Sequence, residues 1–110
     1  VSDLARVDMA EAVENAFRYS HLVVAAASYD SDVFPPMHDF LHHLAIKNYS
    51  KRRIGIIENG SWAPSAGKAM RKIIDTFKDV TVAENMVTVV STLKPTDIPA
   101  LERLADEVLA

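Results

Sequence analysis

The sequence predicts an α/β domain with a doubly wound parallel sheet and helices on both faces. Apolar residues recur with helical spacing in four segments, and apolar runs that are typical of strands lie between these segments. The strand-like runs begin about 30 residues apart, which is the size of a β-α-β unit. With 110 residues and an ordinary globular composition, the chain has room for a single domain, residues 1–110.

Four helices are predicted from apolar residues that recur every three to four positions. The first has a capping-box-like start at Asp8 and Glu11. The second opens at Pro35 and Pro36, because proline suits the first turn of a helix. The predicted helices are residues 9–19, residues 35–47, residues 66–77 and a last helix after Thr96.

Three strands are predicted between the helices. Residues 21–27 are apolar without alternation, so we expect this strand to be covered on both faces, as in a parallel sheet. Residues 53–57 form a second run, which should end at the turn-like cluster of residues 58–60. Residues 80–90 are rich in β-formers but interrupted at residues 83–85, which predicts an irregular edge strand.

Composition excludes several classes of protein. The net charge of -3 gives no positive surface for nucleic acid, so we expect no nucleic-acid partner. The absence of cysteine excludes disulfides, thiolate nucleophiles and thiolate-held clusters, and it favours a cytoplasmic location. The longest apolar stretch is far shorter than the roughly 20 residues of a membrane span, so no membrane partner is expected.

Two predicted loops follow the carboxyl ends of neighbouring strands, where ligands bind in open parallel sheets. They are residues 28–36 and residues 58–65, and each carries an aromatic residue, Tyr29 or Trp62, beside small polar residues. This combination suits a flat heteroaromatic ligand that needs stacking and backbone hydrogen bonds. The alternative is that both aromatic side chains simply cover the end of the sheet.

The loop sequences resemble those of a known family. Residues 26–30, followed by Phe34-Pro35-Pro36-Met37, resemble the first flavin loop in the flavodoxin-like domain of flavodiiron proteins, the A-type flavoproteins. Residues 56–70 are similar to the second flavin loop of that family and the helix after it. The resemblance implies FMN binding and electron transfer. Its implied contacts are Ser28, Tyr29 and Asp30 on one side of the isoalloxazine and Asn59, Gly60, Ser61 and Trp62 on the other.

The resemblance also implies partners and shows departures. Its partners would be an upstream di-iron domain of metallo-β-lactamase type and a redox donor protein, and a homo-oligomer is left open. It places Val1 after the first two strands and first helix of the family's fold, so the phosphate-binding loop would be missing. We therefore expect weak or absent FMN, an apolar strand edge laid bare at residues 22–27, and no stand-alone catalytic residue.

Other patterns leave alternatives. Lys94-Pro95 after the last strand is also found in response-regulator receiver domains, although Asp30 stands in a loop and not at a strand end. A domain that serves only packing or oligomerisation is a third alternative. His38, His42 and His43 should face outward from the second helix, which indicates a solvated face more than a metal site. Gly67-Lys68 lacks the other residues of a nucleotide-binding P-loop.

Overall fold

The four helices and the parallel strands follow one another in the predicted order, with an additional short strand inside the first predicted loop and the third strand divided in two. The computed structural model describes residues 3–4, 6–29, 32–33, 35–60, 66–84, 86–90 and 94–109. Its helices are α1 (Met9–Arg18), α2 (Pro35–Ile46), α3 (Ala66–Ile74) and α4 (Ile98–Leu109), with a 3-10 turn at Pro95–Asp97. Its strands are β1 (His21–Tyr29), β2 (Asp32–Val33), β3 (Arg53–Asn59), β4 (Thr81–Val82) and β5 (Val87–Val89).

The parallel sheet is built around β3. Strand β1 pairs in parallel along one edge of β3, from His21 opposite Arg53 to Ala27 opposite Asn59. Strands β4 and β5 pair in parallel with the other edge, β4 near its start and β5 near its end. The irregular third strand is therefore two short segments on one edge. Strand β2 is antiparallel to the end of β1.

Helices cover both faces of the sheet, as predicted. Helices α1, α2 and α3 share one core with the inward row of β1 and β3, which includes Val24, Ile54 and Ile56. On the other face, Leu104 and Val108 of α4 pack with the buried residues of β5. A Cβ at Gly55 would lie 2.7 Å from Cγ2 of Val108, so glycine lets α4 approach the sheet closely. The mixed α/β architecture confirms the predicted fold class.

The prediction that the first strand is covered on both faces is wrong. Leu22 and Val24 turn toward the three-helix layer, whereas Val23 is 46% exposed and Ala25 is exposed on the opposite face. The described helix on that face, α4, contacts β1, β3 and β5, and it leaves Val23 and Ala25 uncovered. Among the described residues, residues 21–27 pair with β3 alone.

Two local predictions are also wrong. Glu58 and Asn59 belong to β3 and not to a turn, because Asn59 pairs with Ala27 on one side and Val89 on the other. Asp8 is the N-cap residue of α1, but its side chain makes no capping hydrogen bond, so the predicted capping box does not form.

Candidate functional site

The carboxyl ends of three parallel strands form one rim of the sheet. Ala27 of β1 is in register with Asn59 of β3, which is in register with Val89 of β5. The backbone N–H of Gly60 donates to the carbonyl oxygen of Val89 at 3.2 Å, which holds the chain at this rim as it leaves β3. Both predicted loops therefore begin side by side at the same edge of the sheet.

The first predicted loop begins inside secondary structure. Ser28 and Tyr29 are the last two residues of β1, and their backbones pair with Val33 and Asp32 of β2. This antiparallel pairing fixes the backbone of both residues next to the rim. Asp30, the third residue predicted on this side of the ligand, lies outside the described residues.

The second predicted loop is described at its two ends. Asn59 ends β3, Gly60 follows it at the rim, and the chain continues from Ala66 at the start of α3. Ser61 and Trp62 lie outside the described residues. The structure thus brings Ser28, Tyr29, Asn59 and Gly60 to one rim through their backbones, and the roles of all seven predicted residues stay predictions.

Glu58 joins the two ends of the second loop, and the sequence interpretation missed it. This carboxylate is 8% exposed. Its Oε2 accepts the backbone N–H of Gly67 at 2.5 Å, and its Oε1 accepts the hydroxyl of Thr88 at 2.9 Å. One side chain of β3 therefore binds α3 and β5 together. The available signal was an acidic residue at the end of an apolar strand, ahead of a helix with glycine in its first turn.

Glycine at position 67 is required by this carboxylate. A Cβ at Gly67 would lie 2.1 Å from Oε2 of Glu58 and 2.2 Å from the sulfur of Met86. Both distances are below any normal contact, so a larger residue would displace both of these neighbours. The Gly67-Lys68 pair therefore belongs to a buried helix start whose N–H binds a carboxylate of the chain itself.

The helix N-termini offer poor sites for a phosphate. A dianion is stabilised by backbone N–H groups at a helix start, and a neighbouring carboxylate opposes it. Among the described helices, α1 has Asp8 at its N-cap, α3 has Glu58, and the turn before α4 has Asp97, whose Oδ2 accepts the N–H of Lys94. Helix α2 begins with Pro35 and Pro36, which have no N–H to donate.

The histidines of α2 lie on its exposed face, as predicted. His38, His42 and His43 are all exposed, and the rings of His38 and His42 stack with centroids 6.3 Å apart. Over the described ranges, no group of three or more His, Cys, Asp or Glu side chains is placed to hold a metal ion.

Lys94, which suggested a receiver domain, contacts its own turn. Its ammonium donates to the carbonyl oxygen of Val90 at 2.6 Å.

No helix in the described part of the chain is long and apolar enough to cross a membrane.

The opposite end of the sheet holds an aromatic cluster. Tyr49 is 1% exposed and its hydroxyl donates to the carbonyl oxygen of Ala16 at 3.2 Å, while its ring makes edge contacts with Phe17 and Phe77. Burial raises the pKa of the Tyr49 hydroxyl, and the charge of Arg52 opposes that rise.

Arg52 completes this cluster. Its guanidinium carbon lies 5.0 Å from the centroid of the Tyr49 ring, and Nη2 donates to the carbonyl oxygen of Phe17 at 3.0 Å. Arg52 is therefore a half-buried tether between β3 and the end of α1.

Comparison with known proteins identifies the fold. No protein-family model and no curated protein matches the sequence. Among solved structures, the chain is similar to rubredoxin:oxygen oxidoreductase from the anaerobe Desulfovibrio gigas, with a TM-score of 0.74 and 12% sequence identity. The fold is flavodoxin-like. That neighbour is a flavodiiron protein, the group that the loop motifs indicate. The match covers 91% of this chain and 31% of that chain, so this chain spans less than a third of its neighbour.

Proposed function

We propose that this chain is an FMN-binding, electron-transfer part of a flavodiiron-type oxidoreductase. The observation that carries the proposal is the register of Ala27, Asn59 and Val89, which starts both predicted loops at one rim of the sheet. In open α/β sheets this rim is where ligands bind. The flavodoxin-like fold and the loop motifs support the same reading.

The residues at the rim suit the ring system of a flavin. Backbone N–H and C=O groups at strand ends can bind the polar edge of an isoalloxazine, and the expected role of Tyr29 and Trp62 is to cover its two faces and exclude water. Ser28, Asp30 and Ser61 are proposed to contact the polar edge together with Asn59 and Gly60. The chemistry that FMN supplies when bound is one- and two-electron transfer.

The same residues do not suit the phosphate of FMN. Each described helix start either carries a carboxylate or begins with proline, so a phosphate dianion gains little there. We therefore expect this chain to bind riboflavin about as tightly as FMN, and weakly. The partners that belong to this function are a di-iron domain of metallo-β-lactamase type and a redox donor protein, in the cytoplasm.

The test is a pair of titrations of the purified chain with riboflavin and with FMN. Trp62 is the single tryptophan, so quenching of its emission reports binding at the second loop. We expect the two dissociation constants to agree within about threefold, which corresponds to less than about 0.7 kcal/mol. Tyr29→Ala should weaken binding by about fivefold, since an aromatic stack contributes about 1 kcal/mol. Trp62→Leu, in which binding is followed by the emission of riboflavin because the variant has no tryptophan, should weaken riboflavin binding by a similar factor.

The matched control is Tyr19→Ala. Tyr19 is 61% exposed and stands just before β1, at the opposite end of that strand from the rim. This variant should bind riboflavin like the wild type. The proposal fails if neither flavin quenches Trp62, or if Tyr29→Ala and Tyr19→Ala bind equally well. Phosphorylation of Asp30 by acetyl phosphate would favour the receiver alternative.

A further inference from the structure

We infer that Glu58 is a positioning residue that fixes the start of α3, where the second loop ends, against β3, where that loop begins. Its carboxylate binds Gly67, nine positions further along the chain, and so joins the strand that enters the loop to the helix that leaves it. The flavin part of this inference rests on the proposed function, whereas the closure of the loop does not.

Both oxygens of this carboxylate are fixed. Oε2 accepts from Gly67 on α3 and Oε1 accepts from Thr88 on β5, so the side chain has a defined orientation. Hydrogen bonds to a carboxylate are about twice as strong as neutral ones, and a negative charge is favoured at a helix N-terminus. The bond therefore holds the first turn of α3 against the end of β3.

The packing around Gly67 shows that this contact is built into the fold. Glycine at this position leaves room for Oε2 of Glu58, and the sulfur of Met86 occupies the neighbouring space. The loop that these contacts close carries Asn59, Gly60, Ser61 and Trp62, which are the residues predicted for one side of the ligand. Glu58 would thus act on the ligand through the loop and not by touching the ligand itself.

The experiment compares Glu58→Ala, Glu58→Gln and the wild type. Acrylamide quenching of Trp62 in the protein without ligand measures the closure of the loop, and riboflavin titration measures its consequence for binding. For Glu58→Ala we expect the quenching constant to rise about twofold and the riboflavin dissociation constant to rise about tenfold. Glu58→Gln keeps an acceptor for Gly67 and should recover most of both values.

The matched control is Glu107→Gln. Glu107 lies on α4 and also accepts a backbone N–H, that of Glu84, on the other face of the sheet. This variant should leave Trp62 quenching unchanged.

The outcomes separate the two proposals. A wild type that binds no riboflavin would overturn the proposed function, while a rise in Trp62 quenching in Glu58→Ala would still support the positioning role. Unchanged quenching in a folded Glu58→Ala protein would overturn that role. If Glu58→Ala does not fold, the same quenching measurement is made on Thr88→Val, which removes one of the two hydrogen-bond donors to the Glu58 carboxylate. Quenching equal to the wild type in that variant would likewise overturn the role.

Discussion

Gly67→Ala is the substitution that tests the buried carboxylate network most directly. On an ordinary helix, alanine in place of glycine stabilises the folded state by about 1 kcal/mol. Here the added methyl group would lie 2.1 Å from Oε2 of Glu58 and 2.2 Å from the sulfur of Met86. The variant must therefore move both neighbours and lengthen or break the bond between Glu58 and the helix.

The expected loss outweighs the gain in helix propensity. A hydrogen bond to a charged group contributes about 1.5–3 kcal/mol, and overpacking of a core costs about 1–3 kcal/mol. After the gain of about 1 kcal/mol from alanine, the net loss of unfolding free energy should be about 1.5–5 kcal/mol. In a Glu58→Ala background the carboxylate is absent, so Gly67→Ala should cost about 2 kcal/mol less than it does in the wild type.

Urea unfolding of the four proteins in this double-mutant cycle measures the coupling. The control is Gly55→Ala, whose methyl group would meet the ends of the Val108 and Leu104 side chains on the other face of the sheet. This control should lose about 1–3 kcal/mol and leave Trp62 emission unchanged. The reasoning is refuted if Gly67→Ala is as stable as the wild type, or if it costs the same with and without Glu58.

Three further predictions concern other parts of the molecule. Burial raises the pKa of Tyr49 above the value in the unfolded chain, so the folded state holds this proton more tightly. The contribution of this proton to the free energy of unfolding is complete below pH about 10, the pKa of tyrosine in the unfolded chain. It declines as the pH rises from there toward the pKa of Tyr49 in the folded state. Tyr49→Phe should remove this alkaline decline, and at neutral pH it should cost about 1 kcal/mol because the hydrogen bond to Ala16 is lost. Urea unfolding of both proteins from pH 8 to 11 measures the effect, and equal declines in the wild type and the variant would contradict the prediction. Leu44→Ala should cost about 2–5 kcal/mol of unfolding free energy because Leu44 is fully buried. Ile46→Ala, at a position 63% exposed on the same helix, should cost less than about 1 kcal/mol. Equal losses for the two variants in thermal unfolding would argue against the core described above. Val23→Lys should change the unfolding free energy by less than about 0.5 kcal/mol and reduce concentration-dependent light scattering, since Val23 lies exposed on β1; a loss above about 2 kcal/mol would show that this face is buried.

Periodicity predicted the helices and the parallel strands because their apolar spacing is strong and local. The turn expected at residues 58–60 is wrong because Asn59 has strand partners on both sides, and such pairing overrides local turn propensity. The prediction that β1 is buried on both faces is wrong for one face, because an unbroken apolar run does not reveal how far a helix extends over the strand. Val23 and Ala25 are apolar and still lie exposed.

The place where the two predicted loops begin could be predicted from the sequence, whereas the contacts around them could not. The rule that ligands bind beyond the carboxyl ends of parallel strands placed both loops at one rim, and the register of Ala27 and Asn59 agrees with that placement. Glu58 could not be assigned from the sequence, since its partners Gly67 and Thr88 are nine and 30 positions away and the bonds depend on how α3 and β5 pack.

The cluster around Tyr49 and Arg52 lies at the end of β3 that is opposite to the two predicted loops. Arg52 lies just before the first residue of β3 and Gly60 lies just after the last. The seven residues between them, at about 3.3 Å each, separate the two ends by about 23 Å. Substitutions in the cluster around Tyr49 and Arg52 should therefore alter the stability of the fold without contacting the two predicted loops at the rim. The packing that ties α1 to the start of β3 would then stay in place when the sequences of the two predicted loops are varied.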